Sequence, residues 1–192
     1  MELLPGGTLA DKIKDGVPIS EAITYIKQIA SGLHYASTKN FIHRDIKPEN
    51  IQVGQYGGVV VCDWGLSTTI EKISSDNISD DLFKQSMLCT KPLDESRTGT
   101  PGFMAPEQFN IDEEKNVQTD IYGLGGLLYA MLTLEAPLSG SLKEIHRSTV
   151  SGNIIHPSKI VPDIPEALEA IIIKAMATKP TGRYETVNDL SK

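Results

Sequence analysis

The stretch Phe41–Leu66, FIHRDIKPENIQVGQYGGVVVCDWGL, determines how the rest of the chain is interpreted. It places Asp45, Lys47 and Asn50 on one short polar segment and Asp63 on a second. Between these segments lie two apolar runs broken by glycines, a pattern typical of paired β-strands. The runs are Ile51 to Val53 and Val59 to Cys62. We therefore expect a hairpin that returns Asp63 to the side of Asp45 and Asn50.

The four polar side chains have complementary chemistry. Carboxylate and amide oxygens, as in Asp45, Asn50 and Asp63, are suitable ligands for a hard cation such as Mg²⁺. The ammonium group of Lys47 suits a phosphate oxygen. The pattern therefore favours a site that binds a phosphate compound together with Mg²⁺.

The same residues carry a resemblance to a known family. Residues 43–50 follow the pattern H-R-D-x-K-x-x-N, and residues 63–65, DWG, follow as a triplet of the D-F-G type. Three further motifs come downstream in the family's order: residues 99–107, GTPGFMAPE; the D-x-x-x-x-G of residues 120–125; and Arg183. The chain thus resembles the eukaryotic-like (Hanks-type) serine/threonine protein kinases.

The resemblance implies an α+β fold, mostly α: the large, C-terminal lobe of a protein kinase, with a small β-hairpin region and a helical core. Residues 1–192 would be a partial kinase domain that runs from the hinge to the final helix, with the activation segment at residues 63–107. The small lobe would be absent here and would precede Met1 in a parent protein. The apolar stretch Ile121–Leu134 is short for a membrane span, so we expect a buried core helix there.

Helix boundaries are predicted from capping patterns and apolar periodicity. Thr8 and Ser141 each begin a capping box, and Ser20 is expected to cap a long helix that ends near Thr38. Further helices are predicted from Thr119 to Leu134, from Pro165 through Met176, and after Thr186. Residues 67–98 are polar and weakly periodic, which predicts a long loop.

Composition limits the classes of function. The 192 residues, 40% of them apolar, are enough for one domain with a sizeable core. The net charge of −7 gives no support for a nucleic acid or an anionic membrane as partner. The two cysteines, Cys62 and Cys89, form no disulfide framework, which favours a cytoplasmic location. We expect no membrane contact within this chain, and a tether elsewhere in a longer parent protein stays open.

The resemblance assigns a catalytic role to each central residue. Asp45 would be the base that accepts the proton of the substrate hydroxyl, and Lys47 would neutralise charge on the transferring phosphoryl group. Asn50 and Asp63 would bind the Mg²⁺ ions that bridge the phosphates of ATP. Lys47 and Thr100 match the serine/threonine branch, and Thr100 would help to position the substrate. The acceptors would therefore be Ser and Thr hydroxyls of proteins, and dual specificity stays open.

The resemblance also predicts the adenine site. Met1 would occupy the gatekeeper position of the hinge, and the backbone at Glu2 to Leu4 would contact adenine. Gln52 falls where the family usually has an apolar residue beneath the adenine ring. The aliphatic part of a glutamine side chain can still cover that ring.

Several residues are assigned to structure rather than to chemistry. His43, although a candidate for a second general base, would pack and hydrogen-bond within the fold. Gly65 would supply backbone freedom after the metal ligand. Glu107 and Arg183 would form the ion pair that anchors the end of the activation segment. Asp120 would hydrogen-bond the backbone of the catalytic loop.

Regulation is predicted from the residue before the catalytic aspartate. In the family the arginine at the position of Arg44 binds a phosphate on the activation segment, and a phosphate can order a loop against an arginine. Ser96 and Thr98 are the nearest candidate phosphorylation sites. Alternatively, Asp94 or Glu95 already supplies the negative charge.

Two other functions are compatible with parts of the sequence. The sequence contains no G-x-G-x-x-G loop, so a kinase lobe retained as a non-catalytic scaffold or binding module is one alternative. The presence of all four central polar residues favours the enzyme over the scaffold. A metal-dependent phosphatase or nuclease that uses Asp45 and Asp63 leaves residues 99–107 unexplained. The chain alone is expected to be inactive, because half of the nucleotide cleft is missing.

Overall fold

The computed structural model describes residues 6–69, 101–110 and 112–191, and these residues are mostly helical. Glu2, Leu4, Ser96, Thr98 and Thr100, together with most of the predicted activation segment, lie outside the described residues. The helices of the described part are α1 (Leu9–Asp15), α2 (Ile19–Thr38), α3 (Val117–Thr133), α4 (Leu142–Ser151), α5 (Glu166–Ala175) and α6 (Val187–Leu190). Two small sheets accompany them, so the prediction of a mostly helical α+β chain is confirmed.

The predicted hairpin is present. Strands β2 (Ile51–Val53) and β3 (Val59–Val61) pair antiparallel, with Ile51 opposite Val61. In the connection between them, Gly57 has a φ of 78°, a left-handed backbone that glycine adopts without steric cost. A second sheet pairs β1 (Phe41–Ile42) with β4 (Thr68–Thr69), also antiparallel. The two sheets therefore bracket the polar segments that the sequence singled out.

Helix α3 lies at the centre of the apolar core. Its side chains are buried from Thr119 to Thr133, and Ile121, Leu124 and Leu127 are fully buried. It packs against α2, α5 and α6, and also against β1. Burial of each Leu or Ile contributes about 1.5–3 kcal/mol, which makes α3 a main source of stability. No helix of the described residues has the length and apolar character needed to span a bilayer.

Glycines allow α3 to approach its neighbours closely. A Cβ added at Gly123 would lie 2.7 Å from Cβ of Ile46, and one added at Gly125 would lie 2.7 Å from Cγ of Met176. Both distances are shorter than van der Waals contact. The first glycine therefore brings the Asp45 loop against the helix, and the second brings α5 against it.

Most helix ends follow the predicted caps. Thr8, Ser141 and Thr186 each accept a hydrogen bond from a backbone N–H of the first turn. The prediction for Ser20 is wrong: α2 begins at Ile19 after Pro18, whose ring fixes φ near its observed −57°. Ser20 therefore lies inside the first turn of α2.

Candidate active site

Two of the predicted site residues, Lys47 and Asn50, converge on the carboxylate of a third, Asp45. Lys47 Nζ donates to Oδ2 of Asp45 at 2.7 Å, and Asn50 Nδ2 donates to the same oxygen at 2.9 Å. Asn50 Nδ2 also donates to the backbone oxygen of Asp45 at 2.8 Å. The side chains of Lys47 and Asp45 keep 15% and 23% of their surface exposed, so the carboxylate is held in place and is still reachable from solvent.

The buried ring of His43 holds the backbone at Asp45. Its ring is fully buried, and Nε2 lies 2.9 Å from the backbone oxygen of Cys62, which can only accept. Nδ1 accepts the backbone N–H of Asp45 at 3.3 Å. These two partners select the neutral tautomer with its proton on Nε2. Because its one lone pair is engaged by the backbone, His43 is placed for a structural role and not for proton transfer.

Asp120, near the start of α3, holds the backbone before Asp45. Its Oδ2 accepts the N–H of His43 and its Oδ1 accepts the N–H of Arg44, both at 2.8 Å. Burial raises the pKa of Asp120, and the two N–H donors oppose that rise. Arg44 has a φ of 70°, an uncommon value for a residue other than glycine. The carboxylate thus fixes a backbone turn that the chain does not adopt by preference.

Gln108 is a site residue that the sequence analysis missed. Only 6% of it is exposed, and its Nε2 donates to the backbone oxygen of Arg44 at 2.6 Å. Its Oε1 accepts the backbone N–H of Ala105 at 2.9 Å. The one available signal was an uncharged polar residue directly after the Ala105-Pro106-Glu107 motif.

The turn at Asp63 follows directly from the hairpin. The N–H of Cys62 donates to the backbone oxygen of Asn50 at 2.8 Å, so Asp63 begins one residue beyond that bond. Asp63 is exposed and has a φ of 61°. The left-handed backbone of this turn therefore lies at Asp63 itself. At Gly65, an added Cβ would lie 3.2 Å from Oδ1 of Asp63, so the absence of a side chain leaves room for that carboxylate.

Trp64 and Gln52 flank the site. The Trp64 ring meets the ring of His43 edge-on, with centroids 4.6 Å apart, and its Nε1 donates to the backbone oxygen of Val61 at 3.1 Å. Gln52 is half-buried in β2 opposite Val60, and its backbone forms a bridge with Thr8 just before α1.

Glu107 and Arg183 form a buried ion pair. Arg183 Nη1 and Nη2 donate to the two carboxylate oxygens of Glu107 at 2.7 and 2.8 Å, and the two side chains are 0% and 1% exposed. Thr119 Oγ1 adds a third hydrogen bond to Glu107 at 2.8 Å. Burial raises the pKa of Glu107, but the hydrogen bonds and charge of Arg183, together with hydrogen bonds from the backbone and from Thr119, lower it by more. Arg183 also donates to three backbone oxygens, those of Ala177, Gln118 and Thr178.

The donor set near Asp45 fits a magnesium ion that is bound together with phosphates. Asn50 uses its Nδ2 in both bonds to Asp45, so its Oδ1 is free of hydrogen bonds within the described part of the chain. The exposed carboxylate of Asp63 would supply a second hard oxygen. Among the described residues there is no group of three or more His, Cys, Asp or Glu side chains that could hold a metal ion by themselves. The described part of the chain thus offers few ligands, as is usual where phosphates and water complete the Mg²⁺ shell.

Comparison with known proteins identifies relatives along nearly the whole chain. The family profile described as "Protein kinase domain" matches residues 1–191. The serine/threonine-protein kinase PknD of Chlamydia abortus is 32% identical over 187 residues, which cover 95% of this chain and 20% of the relative. PknD of Protochlamydia amoebophila is 34% identical over 169 residues, which cover 84% of this chain and 17% of that relative. PknD of Chlamydia muridarum is 30% identical over 192 residues, which cover 96% of this chain and 20% of that relative. The chain therefore spans about a fifth of the length of these curated relatives.

Proposed function

We propose that this chain forms the large, C-terminal lobe of a protein kinase. The chain belongs to the Hanks-type serine/threonine protein kinase family. In this role it transfers the γ-phosphate of ATP to Ser or Thr hydroxyls of protein substrates. The observation that carries the proposal is the convergence of Lys47 and Asn50 on the partly exposed carboxylate of Asp45. A lobe that served only as a scaffold has no need of this arrangement.

Asp45 is the proposed catalytic base. Phosphoryl transfer requires a hydroxyl aligned with the γ-phosphorus and a group that accepts its proton. The bonds from Lys47 and Asn50 fix the rotamer of Asp45 and leave part of the carboxylate open to the substrate. The ammonium group of Lys47 lies beside the Asp45 carboxylate, where its charge can stabilise the transferring phosphoryl group.

Asn50 and Asp63 are the proposed metal ligands, and Mg²⁺ bound there supplies charge neutralisation for the phosphates of ATP. In support of this proposal, the backbone N–H of Cys62 donates to the backbone oxygen of Asn50, so Asp63, the next residue, follows close to Asn50 along the backbone. Gln52 of β2, with the backbone at Glu2 and Leu4, is proposed to contact adenine.

The proposal includes a small lobe as partner, which would supply the glycine-rich loop and the phosphate-binding lysine. It also includes a cytoplasmic location, which rests on the use of only two cysteines. Phosphorylation of Ser96 or Thr98, sensed by Arg44, remains our prediction for regulation. Thr100 is proposed to position the substrate.

The experiment joins the small lobe of the Chlamydia abortus relative in front of Met1; we call this protein the assembled kinase. It is incubated with radiolabelled ATP, Mg²⁺ and a general protein substrate, followed by phosphoamino-acid analysis. We expect phosphoserine and phosphothreonine, and no transfer by residues 1–192 alone. No transfer by an assembled kinase that folds and binds ATP would favour the scaffold function instead. Transfer by residues 1–192 alone would contradict the need for a small lobe.

A further inference from the structure

The peptide bond that precedes Asp45 is held at both ends. Its carbonyl, that of Arg44, accepts a 2.6 Å hydrogen bond from Gln108 Nε2. Its N–H, that of Asp45, donates to Nδ1 of His43 at 3.3 Å. The orientation of this peptide sets the direction in which the Asp45 side chain leaves the backbone.

The held peptide follows a residue in an unfavourable conformation. Arg44 has a φ of 70°, and such a backbone persists in a residue with a Cβ only where the surroundings hold it. Asp120 holds the N–H of Arg44 at 2.8 Å, and Gln108 holds its carbonyl. Both polar backbone groups of Arg44 are therefore fixed by side chains distant in sequence.

We propose that Gln108 is a positioning residue that couples the end of the activation segment to the catalytic Asp45 through the Arg44–Asp45 peptide. This inference rests on the proposed function of Asp45. Gln108 belongs to the 3₁₀ turn Pro106–Phe109, directly after the ion-paired Glu107. A shift of this turn moves the Arg44 carbonyl, and with it the carboxylate that must meet the substrate hydroxyl.

A purely structural role for Gln108 makes a different prediction. Its Oε1 accepts the N–H of Ala105 at 2.9 Å, which satisfies the start of the 3₁₀ turn. If that bond were its whole purpose, a residue that keeps the acceptor would be sufficient. Gln108→Glu keeps an acceptor for Ala105 and loses the donor to Arg44, so it separates the two roles.

The test compares Gln108→Glu and Gln108→Met in the assembled kinase. Displacement of a catalytic group by about 1 Å costs on the order of 10²-fold in rate, so we expect kcat to fall about 10–100-fold in both variants. The KM for ATP should stay within about twofold, because the nucleotide contacts are unchanged. The control is Gln118→Met, which removes an exposed hydrogen bond to the backbone oxygen of Glu185 and should leave kcat unchanged. Wild-type kcat in Gln108→Glu, or a fall confined to KM, would overturn the proposal.

A second measurement needs no enzymatic activity. In residues 1–192, the carbonyl-carbon NMR shift of Arg44 reports the hydrogen bond from Gln108 directly. We expect it to move in Gln108→Met and in Gln108→Glu, and to stay constant in Gln118→Met. An unchanged Arg44 shift in Gln108→Met refutes the contact, and the positioning role with it. An inactive wild-type assembled kinase refutes the proposed function, and the Arg44 shift still decides whether the contact exists.

Discussion

Replacement of Arg183 by alanine tests the buried ion pair. Arg183→Ala leaves the Glu107 carboxylate, only 1% exposed, without its bidentate partner. A buried charge that loses its partner destabilises a protein by about 3–5 kcal/mol, a large part of a domain's total of about 5–15 kcal/mol. For a chain of this size the loss corresponds to a decrease in Tm of roughly 6–20 °C. Circular dichroism of residues 1–192 on heating measures it.

The matched control is the exposed pair of Lys14 and Asp11, whose atoms are 3.7 Å apart and whose side chains are 77% and 59% exposed. Lys14→Ala should change stability by less than about 1 kcal/mol. Adding Glu107→Gln to Arg183→Ala removes the unpaired charge, so the double variant should recover part of the lost stability. If Arg183→Ala melts no earlier than Lys14→Ala, or if the double variant shows no recovery, the reasoning is refuted.

Three further predictions concern pH, metal and packing. Burial raises the pKa of Glu107, but Arg183, the backbone and Thr119 together lower it by more. The stabilising contribution of the ionised Glu107 is therefore complete above about pH 4.3 and is lost as pH falls through the lowered pKa. The Tm difference between wild type and Glu107→Gln should therefore shrink in acid, and a difference independent of pH contradicts this. Asp63→Asn should abolish the Mg²⁺ dependence of ATP binding to the assembled kinase, as measured by calorimetry. An unaltered Mg²⁺ dependence would exclude Asp63 as a metal ligand. Gly123→Ala, which displaces Ile46 of the catalytic loop, should lower kcat more than Gly125→Ala, which faces α5; equal kcat values would disprove the difference.

The sequence predicts which central side chains lie together where chemistry restricts residue type and spacing. Asp45, Lys47 and Asn50 lie within six residues, so a short loop brings them together whatever the rest of the chain does. The hairpin follows from apolar runs and glycines, and the caps at Thr8 and Ser141 follow from local hydrogen bonds.

Contacts between distant segments were harder to predict. The hydrogen bond from Gln108 to Arg44 spans 64 positions and has no periodic signal in the sequence. The close approach of Gly123 to Ile46 depends on how α3 packs, which a single glycine does not reveal. Serine is a good cap, so the sequence predicts that Ser20 caps α2, but Pro18 already fixes the backbone before the first turn.

The central claim is that Asp45 is the base for phosphate transfer, and Asp45→Asn in the assembled kinase tests it most directly. Because asparagine keeps the shape and loses the proton-accepting carboxylate, single-turnover transfer to a Ser/Thr substrate should slow by about 10²–10⁴-fold, while ATP still binds. The control is Asp15→Asn, at an exposed residue at the end of α1, which should leave the rate unchanged. A rate for Asp45→Asn equal to that of Asp15→Asn would contradict the account.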